Sequence, residues 1–154
     1  MRVVILGPGA AGKSTFARRL GRVNGVDAIE LDSVFWSADV EPLSTDVWVQ
    51  MQADLTVGDA WILDGDLGPH DVLQPRLERA DVVVLFDPPL YRCVWRAIRR
   101  SREQWGFWVW LVTWRRREKP GILAAIERYA PDARLELVRN DQDADRLLSV
   151  MFRP

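Results

Sequence analysis

Lys13 and Ser14 directly follow Gly7-Pro8-Gly9-Ala10-Ala11-Gly12 and precede Thr15. The spacing G-x-x-x-x-G-K-[ST] marks a loop whose backbone N–H groups wrap a phosphate. Its lysine reaches the outer phosphates and its hydroxyl ligates Mg²⁺. Glycines at 7, 9 and 12 are expected to let the chain curl so that successive N–H groups point at one anion. A helix starting near Lys13 adds the positive end of its dipole to the same place. Gly7, Gly9, Ala10, Ala11, Gly12, Lys13, Ser14 and Thr15 are therefore the expected cradle for the phosphates of ATP or GTP, with Mg²⁺ on Ser14.

Carboxylates recur where such a cradle needs them. Asp32 closes the short run Ala28–Leu31, and it could orient an acceptor hydroxyl and take its proton. The plainer reading is a cap or turn aspartate. Asp64 ends the apolar run Trp61-Ile62-Leu63, where an aspartate supports Mg²⁺. The competing reading is an Asp-Gly turn with Gly65. Asp66 is a second candidate for metal or acceptor, and Asp87, before two prolines, reads as a helix cap.

Positive charge is segregated from these carboxylates. From Val23 to Pro75 there is no lysine or arginine, against eleven aspartates and glutamates. From Arg92 to Lys119 there are nine lysines and arginines against two glutamates. Phosphoryl transfer needs positive charge over the migrating group, often from a mobile flap. Arg96 and Arg100 are the candidates for that role. Arg99 and the Arg139-Asn140 loop are candidates for contacting the nucleotide. The aromatic run Trp105–Trp114 has two readings, a buried or self-associating helix that would make a homodimer, or a wall for a flat or apolar acceptor. His70, the only histidine, reads as a loop residue, and Cys93, the only cysteine, as packing.

The elements that would position these groups alternate. Strands are expected at Arg2–Leu6, Ala28–Leu31, Trp61–Leu63, Val82–Phe86 and Arg134–Val138. Helices are expected at Lys13–Arg22, from Ser44-Thr45 through Leu55, and at Val72–Ala80, Leu90–Arg102, Ile122–Tyr129 and Ala144–Met151. This pattern predicts an α/β fold, a three-layer P-loop NTPase architecture with a five-stranded parallel sheet and a short Arg- and Trp-rich lid over about 102–120. In such sheets ligands bind at the carboxyl ends of the strands. The 154 residues are expected to form one domain, 1–154. A single cysteine, no charged-then-apolar leader and no apolar run longer than about half a membrane span together predict a cytoplasmic protein that does not enter the membrane.

Gly7–Thr15, the element Leu31-Asp32-x-x-Phe35-Trp36, the run Trp61–Gly65 and the Arg-rich helix after Asp87-Pro88-Pro89 resemble the small bacterial P-loop proteins called topology-modulation proteins. Those are similar in turn to adenylate kinase and shikimate kinase. The resemblance implies a kinase-like core with a short lid and places Asp32, Trp36, Asp64 and Asp66 on the acceptor side. The carboxylate after strand two, here Asp32, is similar to the acceptor-side aspartate of shikimate kinase. One departure stands out. Nucleoside-monophosphate kinases clamp the acceptor phosphate with arginines in the stretch that here holds none, and a dianion beside several carboxylates is repelled.

The expected function is thus Mg²⁺-dependent transfer of the γ-phosphate of ATP or GTP to a hydroxyl of a neutral or cationic small molecule, such as a nucleoside, sugar or antibiotic. The alternatives are a nucleoside-monophosphate kinase and a nucleotide-dependent regulatory or DNA-associated protein. The position of the arginines on the expected lid favours a small-molecule partner over nucleic acid.

Overall fold

The computed structural model describes residues 1–35, 44–100 and 105–151, with Pro69 and Arg100 described in backbone only. Trp36 therefore lies outside the described residues, as does the side chain of Arg100.

Five parallel strands form one sheet: β1 (Arg2–Leu6), β2 (Ala28–Glu30), β3 (Trp61–Asp64), β4 (Val82–Phe86) and β5 (Arg134–Val138), in the order β2-β3-β1-β4-β5. β1 is central because its Val3, Val4, Ile5 and Leu6 are all fully buried. A parallel strand covered on both faces must be apolar on both. Its side chains alternate between two cores. Val3 and Ile5 pack with Phe16, Leu20, Val84 and Leu148, while Val4 and Leu6 pack with Trp48, Leu63, Leu77 and Trp114.

The first core is closed by α1 (Lys13–Asn24) and α8 (Asp141–Met151), and the second by α3 (Thr45–Leu55), α4 (Gln74–Leu77) and α7 (Lys119–Tyr129). Helices α5 (Leu90–Arg100) and α6 (Trp105–Arg117) connect β4 to α7. No helix among the described residues is long and apolar enough to cross a membrane.

Several boundaries differ from the pattern in the sequence. β2 ends at Glu30, and α2 (Leu31–Phe35) begins at once, so Asp32 sits in a helical first turn rather than at a strand end. Leu31 and Phe35, four apart, are both buried, which turns the chain helical there. The expected helix over Val72–Ala80 is reduced to α4, preceded by a 3₁₀ turn at Gly68–His70. α8 starts three residues early because Asn140 Oδ1 accepts from the Asp143 N–H at 2.9 Å, an N-cap contact. The aromatic run forms α6, which buries Leu111 and Trp114 and leaves Trp105, Val109 and Val112 exposed.

Candidate functional site

The register of the sheet brings the chemistry together. Ile5 of β1 is paired with Asp64 of β3, and Asp64 in turn with Glu30 of β2. The loop after β1, the end of β3 and the start of α2 therefore meet at the carboxyl ends of the strands, next to the point where the chain crosses from one side of β1 to the other. In the loop, Gly7 and Gly12 have φ of 141° and 100°, a region that side chains disfavour. Gly9 does not share that geometry; the third unusual position is Ala10, at φ 56°. Gly9 serves a different purpose. A Cβ there would overlap the Phe107 ring and come within 2.9 Å of Trp110. The glycine makes room for α6 to rest on the loop.

Lys13 Nζ donates to the carbonyls of Gly7 and Pro8, at 2.8 and 2.9 Å. The Ser14 hydroxyl sits beside the Asp64 carboxylate. Asp64 is 3% exposed, and its Oδ1 has no partner. Burial pushes its carboxyl above the ordinary value, with Lys13 and the Ser14 hydroxyl pulling the other way. A hydroxyl beside a buried carboxylate with one orphaned oxygen is a donor set suited to Mg²⁺, whose remaining positions are usually water and phosphate.

The phosphate loop is a wall between two hollows. On one side lies a space of about 380 Å³ lined by Thr15, Trp95, Arg96, Arg99, Asp141 and Asp145. Arg96 spans it, donating from Nη1 to the Ala11 carbonyl at 2.9 Å and from Nη2 to Asp141 at 2.7 Å. The Arg99 guanidinium lies 4.4 Å from the centre of the Trp95 ring, a stacked pair open to solvent. On the other side is a space of about 480 Å³ lined by Asp32, Asp66, Leu67, His70, Phe107 and Trp110, with Lys13 and Ser14 on the loop. Ala10, Ala11 and Gly12 border both.

Asp32 stands at this second wall and is exposed. Loss of solvent is the main push on it, upward; Lys13 opposes, and the Asp64, Asp66 and Asp71 carboxylates add to the rise. Asp66 is tied into the fold. Its Oδ2 accepts from the Trp114 indole N–H at 3.1 Å and its Oδ1 from the Gly68 N–H at 2.9 Å. Arg139 lines a third hollow of about 410 Å³, with Asp87 and Arg115, away from both spaces beside the loop. Asp87 is the anchor for the end of α6: it receives Arg115 at 2.9 Å and Lys119 at 2.7 Å.

The structure thus gathers Lys13, Ser14, Asp32 and Asp66 on the wall of the second space, with Asp64 buried beside Ser14, and Thr15, Arg96 and Arg99 on the wall of the first. His70, read from the sequence as a loop residue, lines the second space, Asp141, just after β5, lines the first, and Trp95 there carried no signal in the sequence. A histidine six residues after a strand-ending aspartate carries little signal until the 3₁₀ turn folds it back.

No protein-family model and no curated protein sequence matches the chain. Solved structures do. A shikimate kinase from Bacteroides thetaiotaomicron superposes with a TM-score of 0.63 at 14% identity, covering 98% of each chain. A gluconokinase from Sinorhizobium meliloti 1021 gives 0.58 at 13% identity, over 98% of this chain and 89% of that one. An unliganded sugar kinase from Janibacter sp. HTCC2649 gives 0.56 at 19% identity, over 99% and 95%. The chain has the fold of the small P-loop kinases. The kinase-like fold also accounts for the sheet order and for the loop at the end of its central strand.

The buried carboxylate of this kinase-like site has a measurable signature. With the folded pKa of Asp64 raised by burial, its charge costs stability at every pH above that value, and the cost vanishes below the unfolded value near about 4. Asp64→Asn should therefore melt at a higher temperature than the parent at pH 8. The gain should shrink as the pH falls. Thermal melts across pH check this, and a gain that grows in acid would contradict the assignment.

Proposed function

We propose that the protein is a Mg²⁺-dependent phosphotransferase that moves the γ-phosphate of ATP or GTP to a hydroxyl of a small, neutral or cationic molecule. What carries the reading is the single wall between two hollows: the phosphate loop borders both, with a carboxylate, Asp32, on one side and guanidinium groups on the other. A donor in the first space and an acceptor in the second would meet at Lys13.

Lys13 leaves its loop carbonyls to hold the outer phosphates, and the loop N–H groups bind the rest. Ser14 and Asp64 are the residues that would hold Mg²⁺, which when bound neutralises charge on the bridging phosphate oxygens. Asp32 orients the acceptor hydroxyl and takes its proton as the new oxygen–phosphorus bond forms and the bond to the departing diphosphate breaks. Arg96, already within reach of the loop, supplies positive charge to the migrating group, with Arg100 its neighbour on α5. Residues 1–154 act as one kinase-like unit, with α6 as the core of the lid.

Acceptor phosphate is disfavoured by Arg76, the first cation after the Arg-free stretch. It is fully buried and spent on Asp71, Gln52 and the Gly65 carbonyl. The test is a phosphate-transfer screen with both donors across nucleosides, nucleotides, sugars and antibiotics. The expected result is transfer to an uncharged or cationic alcohol, reduced by about 10²–10³-fold or more in Lys13→Ala. Efficient phosphorylation of AMP, CMP or UMP, with nothing transferred to free nucleosides or sugars, would replace this reading with a nucleoside-monophosphate kinase.

A further inference from the structure

The hollow of about 410 Å³ beyond the end of β4 stands outside the reaction described above. Asp87, Tyr91 and Arg92 form one side of it, Arg139 and Asn140 another, and Arg115 reaches it from α6. No residue of the phosphate loop lines it. The sheet brings these segments together. The Asp87 N–H donates to the Val138 carbonyl at 2.9 Å, so the chain leaving β4 runs beside the chain leaving β5.

Three guanidinium groups and one carboxylate share this wall, and the carboxylate is already committed. Asp87 is buried and accepts from Arg115 at 2.9 Å and from Lys119 at 2.7 Å. Arg115 spends Nε and Nη2 on Asp87 and the Pro88 carbonyl, which leaves Nη1 unused among the described residues. Arg92 reaches Asp141 only at 4.0 Å, and Asp141 is held more closely by Arg96, at 2.7 Å. Arg139 is exposed and bonds through its backbone N–H alone, to Asp143 at 3.0 Å; its guanidinium has no partner among the described residues. Asn140 accepts the Asp143 N–H on its oxygen, so its NH₂ group is free to donate into the same space.

Helices α5 and α8 both begin at this wall and add the positive ends of their dipoles. Asp141 and Asp143, in the first turn of α8, offset part of that charge. Both are taken, by Arg96 and by the Arg139 N–H. The hollow is thus rich in spare donors and poor in spare acceptors. Guanidinium groups around one space repel each other unless an anion lies between them. Phosphate answers that need best, because its oxygens accept the guanidinium fork in pairs.

We propose that this hollow is a second anion site, separate from the phosphate loop, which takes a phosphate group, free or carried as the ester of a small metabolite. Arg139 and Arg92 hold the phosphate, with Arg115 Nη1 and the Asn140 amide completing its partners. The volume is that of a small-molecule site. The inference does not depend on the kinase reading, since none of these residues has a part in phosphoryl transfer.

The test is calorimetric titration of inorganic phosphate, glycerol phosphate and acetate at constant ionic strength. It is run with and without Mg²⁺ and a non-hydrolysable ATP analogue. A phosphate should bind in both conditions, about tenfold or more tightly than acetate. Arg139→Gln should weaken it about tenfold and Arg139→Lys less. Arg22→Gln, which removes an exposed cation at the end of α1, should leave it unchanged. A tighter ester identifies a metabolite, and equal binding of the two identifies free phosphate. Binding that disappears when the analogue is present belongs to the phosphate loop and overturns the proposal. So does binding untouched by Arg139→Gln, binding of neither phosphate, or Arg139-dependent binding of a DNA duplex with none of phosphate.

Discussion

Asp32→Asn should cut phosphoryl transfer by about 10²–10⁴-fold while changing nucleotide affinity little. Asparagine keeps the shape and an acceptor oxygen but cannot take a proton. Asp32 is exposed at the cavity wall on the first turn of α2, so the amide should fold as the parent does. The pH profile adds a second readout. Burial, then the neighbouring carboxylates, hold the Asp32 carboxyl above its ordinary value. A base must be ionised to act. The acidic limb of kcat/KM should therefore lie above the usual carboxylate range in the parent and be missing in Asp32→Asn. Steady-state kinetics across pH, with nucleotide binding measured by titration, check both. A variant with full turnover would take Asp32 out of the reaction.

Arg76→Ala should cost about 3–5 kcal/mol of stability, because it leaves the Asp71 carboxylate buried and unpaired. Arg76 is fully buried and the Asp71 side chain is 3% exposed. The guanidinium reaches both Asp71 oxygens, Gln52 Oε1 and the carbonyls of Gly65 and Val72. It thus ties α3, α4 and the end of β3 into one body beneath the loop that carries Asp66. For a domain of this size the melting temperature should drop by about 10 °C or more. Replacing the pair together, as Arg76→Met with Asp71→Leu, should recover much of the loss, since the charge is no longer stranded. Urea denaturation of the single and double variants distinguishes this from a general cavity effect, in which the double variant would be the worse.

The same pair sets an acid limit. Burial alone would raise the Asp71 carboxyl, but the charge and hydrogen bonds of Arg76, helped by the Leu67 N–H and the Trp48 indole, bring it below the ordinary value. A depressed folded pKa means stability that is present above the unfolded value and lost as pH falls through the folded one. Asp71 and Asp64 therefore pull in opposite directions on acidification.

The β-branched runs that make β1 and β4 were plain in the sequence, and so was the phosphate loop, because both are local: each is written within about a dozen adjacent residues. Asp64 could be placed for the same reason, at the end of an apolar strand. The rest depended on contacts between distant segments. Nothing near Arg76 signals that it is buried, since its partners come from α3 and from the loop before α4. Asp66 read as a metal or acceptor ligand, while the structure also commits it to Trp114, 48 residues away. That Trp105–Trp114 could be a helix was legible, but aromatic residues on every side erase the periodicity that would tell which face of α6 is buried. The three Arg and Trp residues on the wall of the first space, Trp95, Arg96 and Arg99, lie along one side of α5, where sequence alone cannot tell a solvated face from a wall.

Gly9 ties two distant stretches of the gene to a shared history. The φ there is not one that side chains avoid; the rings of Phe107 and Trp110 are the atoms a Cβ would strike first. A chain that enlarges position 9 has to trim the aromatic rings of α6 in the same stroke, and one that trims those rings relaxes the demand for glycine at position 9. The middle of a motif usually read as a fixed signature of phosphate binding is, in this chain, also shaped by the helix that rests on it.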